Sequence, residues 1–362
     1  MLHVPARDAY AQFRCDAPPK GHLVCVESQS IRNISRTRPH VCRLTLRAAT
    51  GSHAPAAFLA AIAPYREDVA VCVECMFTWY WLADLCAAEG ITFVLGHALA
   101  MKAIHGAKAK NDRVDAHKIA VLLRGGLIPQ VYVYPAGMRA TRDLLRRRLH
   151  LVRKRGQLLA HIQMTREQYN LPPFERRLAY PANRAGVSAH FRDPVVRKSV
   201  EVDLALIDEY DTLIADLEQT LVREAKCDDA DAFHRRRSVP GIGPILALTI
   251  LYEIHDVHRF DRVQQFASYA RLVKGQHESG GKILGTGGAK MGNVHLKWAF
   301  SEAAVLFLRH THTPRVQKQL ARWEKTHGKG KALSILAHKI GRAVFYMLTR
   351  GTVFSLDKFL AA

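Results

Sequence analysis

Apolar and polar positions along this chain fall into three regimes. Residues 1–50 show almost no period; Ala, Pro, Arg and Cys are scattered, and only residues 22–26 suit a short strand. Order begins at Pro55. Residues 55–64 suit a helix, and 69–73 form a wholly apolar run ending on Glu74, as a buried strand does. Residues 77–88 suit a helix, 91–95 a strand, and 131–134 are β-prone. Residues 112–124 carry a helical period that stops at Gly125-Gly126. Strands alternating with helices predict an α/β domain over 55–137, with 1–54 an aberrant segment before it.

The second regime, residues 138–226, contains no convincing strand. Arg142, Arg146, Arg147, Arg148, Arg153, Lys154 and Arg155 crowd one helical stretch whose apolar seam is Leu145, Leu149, Val152 and Leu159. After a Pro-containing break at 172–194, Ile207, Tyr210, Ile214, Leu217 and Leu221 recur at alternating spacings of three and four, which is a heptad seam. Two such helices predict a coiled-coil arm; two amphipathic helices packed on the body remain the alternative. The third regime, 233–362, is predicted mainly helical. Its first apolar helix spans 245–254, a Gly-rich stretch interrupts it at 275–292, and its last helix covers 332–349.

Charge sharpens this picture. Lys and Arg number 53 against 32 Asp and Glu, a formal net charge of +21. A chain so basic repels itself unless it meets a polyanion, and phosphate backbones are the usual partner. No run of 18 apolar residues predicts a membrane span, and the first residues lack a signal pattern, so a cytoplasmic location is expected. The seven cysteines have no disulfide rhythm and read as reduced thiols. Cys72 and Cys75 bracket Glu74, but zinc would need two more ligands at matched spacing, so they read as packing groups. Phe77, Trp79, Tyr80 and Trp81 read as core.

Three constellations can carry chemistry. Glu74 ends a predicted strand, while Asp112 and Asp115 stand three apart on one helix and share a face. Carboxylates gathered together invite a hard cation such as Mg²⁺, although, taken alone, Asp112 as a helix cap and Asp115 as a first-turn acid is the plainer reading of the pair. Ser279 stands in "LVKGQHESGGKILGTGGAKMGNVHLKWAF", before Gly280 and Gly281, with Lys290 and Asn293 as candidate phosphate contacts. A flexible Gly-Ser loop is the plainer reading. "SVPGIGPILALTIL" suggests a helix-hairpin-helix, in which the backbone of Gly241 to Gly243 at a helix start suits a phosphate. Arg146, Arg147, Arg153 and Lys154 complete the candidate nucleic-acid contacts.

The segments "VAVCVECMFTWYWLADLCAAEGI" and "KNDRVDAHKIAVLLRGGLIPQVYVYP", followed by the serine segment above, resemble the DEDD transposases of bacterial insertion sequences. The resemblance covers about 300 residues with its motifs in order. It implies an RNase H-like N-terminal domain, to which the pattern above adds a coiled-coil arm and a mainly helical C-terminal transposase domain. Glu74, Asp112 and Asp115 become the second, third and fourth members of a metal-binding acid tetrad. Ser279 becomes the nucleophile that attacks a DNA phosphate. The implied partners are the DNA of element ends and target, a structured guide RNA in parts of the family, and further copies of the chain in a dimer or tetramer. Two departures stand out. The family's first Asp has no counterpart in "HLVCVESQS", where Glu27 is the only acid, which suggests that 1–54 is a frameshifted, wrongly started or decayed beginning. A serine expected near position 287 is Gly287. Two other readings stay open: a resolvase-like nuclease that uses Mg²⁺ and water, and a catalytically inactive nucleic-acid-binding remnant.

Overall fold

The computed structural model describes residues 22–30, 41–47, 55–75, 78–104, 112–228, 238–287 and 291–361. They belong to two compact units, Met1–Gly137 and Met138–Ala362.

The first unit is built on a four-stranded sheet of β1 (His22–Ser30), β2 (Val41–Arg47), β3 (Val69–Glu74) and β4 (Thr92–Gly96), in the order β2-β1-β3-β4. All three pairings are parallel. A parallel strand covered on both faces needs apolar side chains on both, and β3 supplies them with Val-Ala-Val-Cys-Val. Val71 and Val73 pack with Phe58 and Ile62 of α1 (Pro55–Ile62) and Trp79 and Leu82 of α2 (Trp79–Ala88). Cys72 packs the other way, with Met101 of α3 (Ala98–Ile104) and Ala116, Ile119 and Ala120 of α4 (Asp112–Arg124). Trp79 meets Tyr80 edge-on at 4.5 Å and stacks on Phe93 at 6.5 Å, as core aromatics do; Phe77 lies outside the described residues.

Two elements differ from the pattern reading. β2 and α3 have no clear period and are not predicted by it. The strand expected at 131–134 is reduced to one antiparallel bridge between Gly96 and Gln130, with the Val131 amide donating to Leu95 O at 2.7 Å. Pro129 and Pro135 flank the segment, and Pro has no amide to extend a ladder.

The second unit opens with two long helices, α5 (Ala136–Gln168) and α6 (Pro194–Asp228). They run antiparallel: Arg148 pairs with Glu218, Arg155 with Asp211 and His161 with Asp203. The buried positions of α6 include Val200, Ile207, Ile214 and Leu221, one every seven residues. Leu145 and Leu149 of the α5 seam are likewise buried. The connection between the helices is ordered. Leu178, Val187 and Phe191 pack with Ile162, Val200 and Ile207, and Arg184 reaches Asp208 and Asp211 at 2.5 Å each.

The remaining elements are α7 (Pro244–Ile254), α8 (Val263–Tyr269), a hairpin of β5 (Gly275–Ser279) and β6 (Lys282–Gly287), α9 (Val294–His310), α10 (Pro314–His327), α11 (Lys329–Arg350) and α12 (Leu356–Ala361). α7 is apolar nearly all round, and a helix of that kind belongs at the centre of a core. Its Leu246, Ile250 and Ile254 pack with Phe300 and Phe307 of α9, Ile340 and Val344 of α11, and Leu145 and Leu221 of the long helices. No helix among the described residues is long and apolar enough to cross a membrane.

Candidate functional site

In the first unit the acids lie on β1, on β3 and in the first turn of α4, which shares a core cluster with β3. Cys72 faces the α4 side of the sheet, and Glu74, two residues on, has the same parity at the C-terminal end of β3. Glu74 is half-buried. On α4, Ala116, Ile119 and Ala120 form the buried stripe against Cys72. Asp112 lies one turn before Ala116 and Asp115 directly before it, in the first turn of the helix. The described residues do not include the side chains of Asp112 and Asp115. β1 pairs with β3 so that Cys25 stands beside Cys72, which puts Glu27 as far along β1 as Glu74 is along β3. Among residues whose side chains are described, no group of three or more His, Cys, Asp or Glu gathers as metal ligands. Cys72 is fully buried, Cys75 is exposed, and burial pushes the Cys72 thiol up to about 12.

In the second unit Ser279 closes β5 opposite Lys282. Gly280 and Gly281 between them both have positive φ, 57° and 73°, the conformation that tight two-residue hairpin turns require. The Gly-rich stretch is therefore in part a hairpin rather than a shapeless loop. It presents Ser279, exposed to solvent, at its tip. Lys290 lies outside the described residues.

The expected phosphate contacts divide into inward and outward groups. Asn293 is buried and caps α9, its side-chain oxygen accepting from the amides of His295 and Leu296 at 2.9 and 3.1 Å. Its amide donates to Glu253 Oε2 at 2.7 Å. Arg146 also turns to Glu253, donating to both carboxylate oxygens at 2.6 and 3.0 Å. Arg142 completes the cluster at 3.0 Å. Arg147, Arg153 and Lys154 stay exposed on α5. The Arg-rich helix thus spends some of its charge inside the protein.

Glu253 is the residue that sequence reasoning passed over. The signal was present, since it is the one acid in the apolar run of α7. Burial would push its carboxyl up, but the hydrogen bond from Arg146, the charges of Arg142 and Arg146 and the Asn293 amide overcome that and hold it below the usual range. His295 sits in the same neighbourhood. Burial brings it down to about 4, with Arg146, Arg153 and Arg142 adding to the shift against the pull of Glu253.

Gly241 and Gly243 have different surroundings. Gly241 has φ +85°, and a Cβ built there would lie 2.4 Å from the Phe307 amide nitrogen, so this glycine lets the turn seat directly on the backbone of α9. Gly243 is the residue before α7, in extended conformation, and a Cβ there meets nothing within 4 Å. Of the two, Gly243 leaves space beside the first amides of α7.

Comparison with known proteins matches these two regions separately. A DEDD transposase model of the IS110 type matches residues 45–170, and the model described as Transposase IS116/IS110/IS902 family matches residues 234–321. A transposase for insertion sequence element IS1111A from Coxiella burnetii is 30% identical over 251 residues, 67% of this chain and 67% of that protein. A protein named "Probable family 20 transposase" from Pseudomonas aeruginosa is 26% identical over 293 residues, 77% of this chain and 83% of its own. A transposase for insertion sequence element IS1328 from Yersinia enterocolitica is 27% identical over 131 residues, 35% of this chain and 39% of that protein.

Proposed function

Because this chain belongs to the IS110/IS1111 family of DEDD transposases, we propose that it cuts and rejoins the DNA of an insertion sequence through Ser279. The observation that supports this most is the exposed hydroxyl of Ser279 at the tip of a tight hairpin, inside the matched residues 234–321. A hairpin tip can enter a groove and bring its hydroxyl to a phosphate without dragging bulky neighbours along.

In the proposed reaction Ser279 Oγ attacks the phosphorus of a backbone phosphodiester. The new bond is Oγ–P, the broken one joins phosphorus to the neighbouring sugar oxygen, and that strand leaves as a free hydroxyl. The serine proton must go to a base, because a neutral hydroxyl is a poor nucleophile. Attack by the freed hydroxyl of another strand on the phosphoserine restores Ser279 and joins the strands. Binding rests on Arg147, Arg153 and Lys154 of α5 and on the amides that follow Gly243 at the start of α7. Arg146 and Asn293 hold Glu253 and serve the fold beneath that surface.

The acids of the first unit fit a hard cation. Glu74 is an oxygen donor at the C-terminal end of β3, with Glu27 at the same level on the next strand, and Asp112 and Asp115 add two more in the first turn of α4. Mg²⁺ held there would stabilise negative charge on a phosphate under attack. In this reading the domain is RNase H-like, the α5–α6 hairpin is a coiled-coil arm that assembles several copies, and a guide RNA from the element helps choose the DNA.

The test is to incubate the protein with its element's ends, the element's transcript and Mg²⁺, and to resolve the products on a denaturing gel. A protein–DNA adduct that disappears in Ser279→Ala supports the serine reaction. Cutting that persists in Ser279→Ala with no adduct would replace it with hydrolysis by water. Binding without any cutting would mark an inactive copy.

A further inference from the structure

The helix pair α10–α11 carries a basic surface that the reaction above does not use. On α10, Val316 is buried and Leu320 and Trp323 half-buried, so a stripe spaced by four and three faces the body. Lys318, Arg322 and Lys325 repeat the same spacing half a turn away, and all three are exposed. The polar stripe therefore points directly outward from the packed one. One residue past the end of α10, at Gly328, the chain turns into α11, whose first turn carries exposed Lys329 and Lys331. Residues 314–350 contain a single acid, Glu324, and none of the five cations forms an ion pair among the described residues.

Two features say that this charge is not there for the fold. Lys329 and Lys331 stand at the positive end of a 22-residue helix with no acid in its first turn. Cations there oppose the helix dipole and are a local cost of about 0.3–1 kcal/mol each. The stripe on α10 forms no ion pair among the described residues that would offset it. An external anion would supply what both places lack.

We propose that the α10–α11 surface grips the phosphate backbone of double-stranded DNA without reading its sequence. The spacing suits a regular duplex: Lys318 to Lys325 covers about 10 Å along the helix axis, roughly three phosphates of one strand. A single strand would call for stacking platforms, and the described surface offers no exposed Phe, Tyr or Trp. Trp323, the one Trp, Tyr or Phe of α10, is half-buried under the Lys339 ammonium at 5.8 Å. The contact is independent of Ser279 and of the acids, and four of its five residues, at positions 322, 325, 329 and 331, lie past the matched segment 234–321.

The test measures binding of the full chain to a 30-bp duplex of random sequence by fluorescence anisotropy, in EDTA, at several salt concentrations. The variant K318Q/R322Q/K325Q/K329Q/K331Q is expected to bind at least about 30-fold more weakly at 0.1 M salt, with the log–log salt slope reduced by about 4. The control R176Q/R177Q/R192Q/K198Q/R223Q removes five exposed cations elsewhere and is expected to keep most of the slope. Equal losses in the two variants would reduce the surface to net charge and overturn the proposal, and so would an unchanged slope in the first. A larger loss on a 30-bp RNA duplex or a 30-nucleotide single strand would overturn the assignment to duplex DNA. Should the fivefold variant fail to fold, K318Q/K325Q is expected to lower the slope by about 2.

Discussion

Asn293 joins two elements through one side chain: its oxygen caps the first turn of α9 while its amide donates to buried Glu253 of α7 at 2.7 Å. Glu253 in turn holds Arg142 and Arg146 of α5. A single carboxylate, 1% exposed, thus ties the base of the long hairpin to the helical core of the second unit.

Removing that carboxylate leaves Arg142 buried without its counter-charge. Glu253→Ala is expected to destabilise the second unit by about 3–5 kcal/mol. Asn293→Ala, which loses a cap and one hydrogen bond, is expected to cost about 1–3 kcal/mol. Urea unfolding followed by circular dichroism checks the ranking; an Asn293→Ala penalty above that of Glu253→Ala would contradict it.

The two glycines before α7 are expected to respond differently. Gly241→Ala forces a positive φ and a contact with the Phe307 backbone, and is expected to cost more than about 3 kcal/mol. Gly243→Ala meets no neighbour and is expected to stay within about 1 kcal/mol of the parent. If the start of α7 approaches phosphate, the stable Gly243→Ala protein will bind DNA more weakly. Thermal melting and DNA titration of both variants separate the effects.

His295 sets a pH dependence. Its folded-state value of about 4 lies below the ordinary 6.5, so the unfolded chain binds the extra proton between those values. Stability is therefore retained above pH 6.5 and lost as pH falls toward 4. His295→Gln is expected to flatten that part of the profile. Urea midpoints at pH 7, 5.5 and 4.5 for the two proteins measure it, and parallel profiles would exclude His295 as the cause. Glu253, held below 4.5, adds its own loss only at still lower pH.

Thiol reactivity reports on the packing of β3. Burial pushes Cys72 and Cys86 from 9.0 to about 12, which cuts their thiolate on the order of a thousandfold. Iodoacetamide at pH 8 is expected to label exposed Cys75 while sparing Cys72 and Cys86 in the native protein. Peptide mapping by mass spectrometry distinguishes them, and rapid labelling of Cys72 would show that the strand is not buried.

Much of the architecture was legible in the chain. The apolar run 69–73 became a central strand because five consecutive apolar residues can only be satisfied by cover on both faces. The heptad seam of α6 became its buried line, and Gly125-Gly126 ended α4. The positions of Glu74, Asp112 and Asp115 on their elements, and the basic character of the chain, were equally readable, because each depends on local sequence alone. Tertiary structure decided the rest. Whether an arginine meets solvent or a buried acid is a contact between residues more than a hundred apart, so Arg146 and Arg147 look alike in sequence and part ways in the fold. Gly241 and Gly243 look like one turn, yet only the approach of α9 fills the space beside the first and leaves the second open. The Gly-rich run gives no period, and it took cross-strand pairing to place Ser279 at a hairpin tip. Patterns local in sequence set the elements; contacts distant in sequence set which side chains remain available for chemistry.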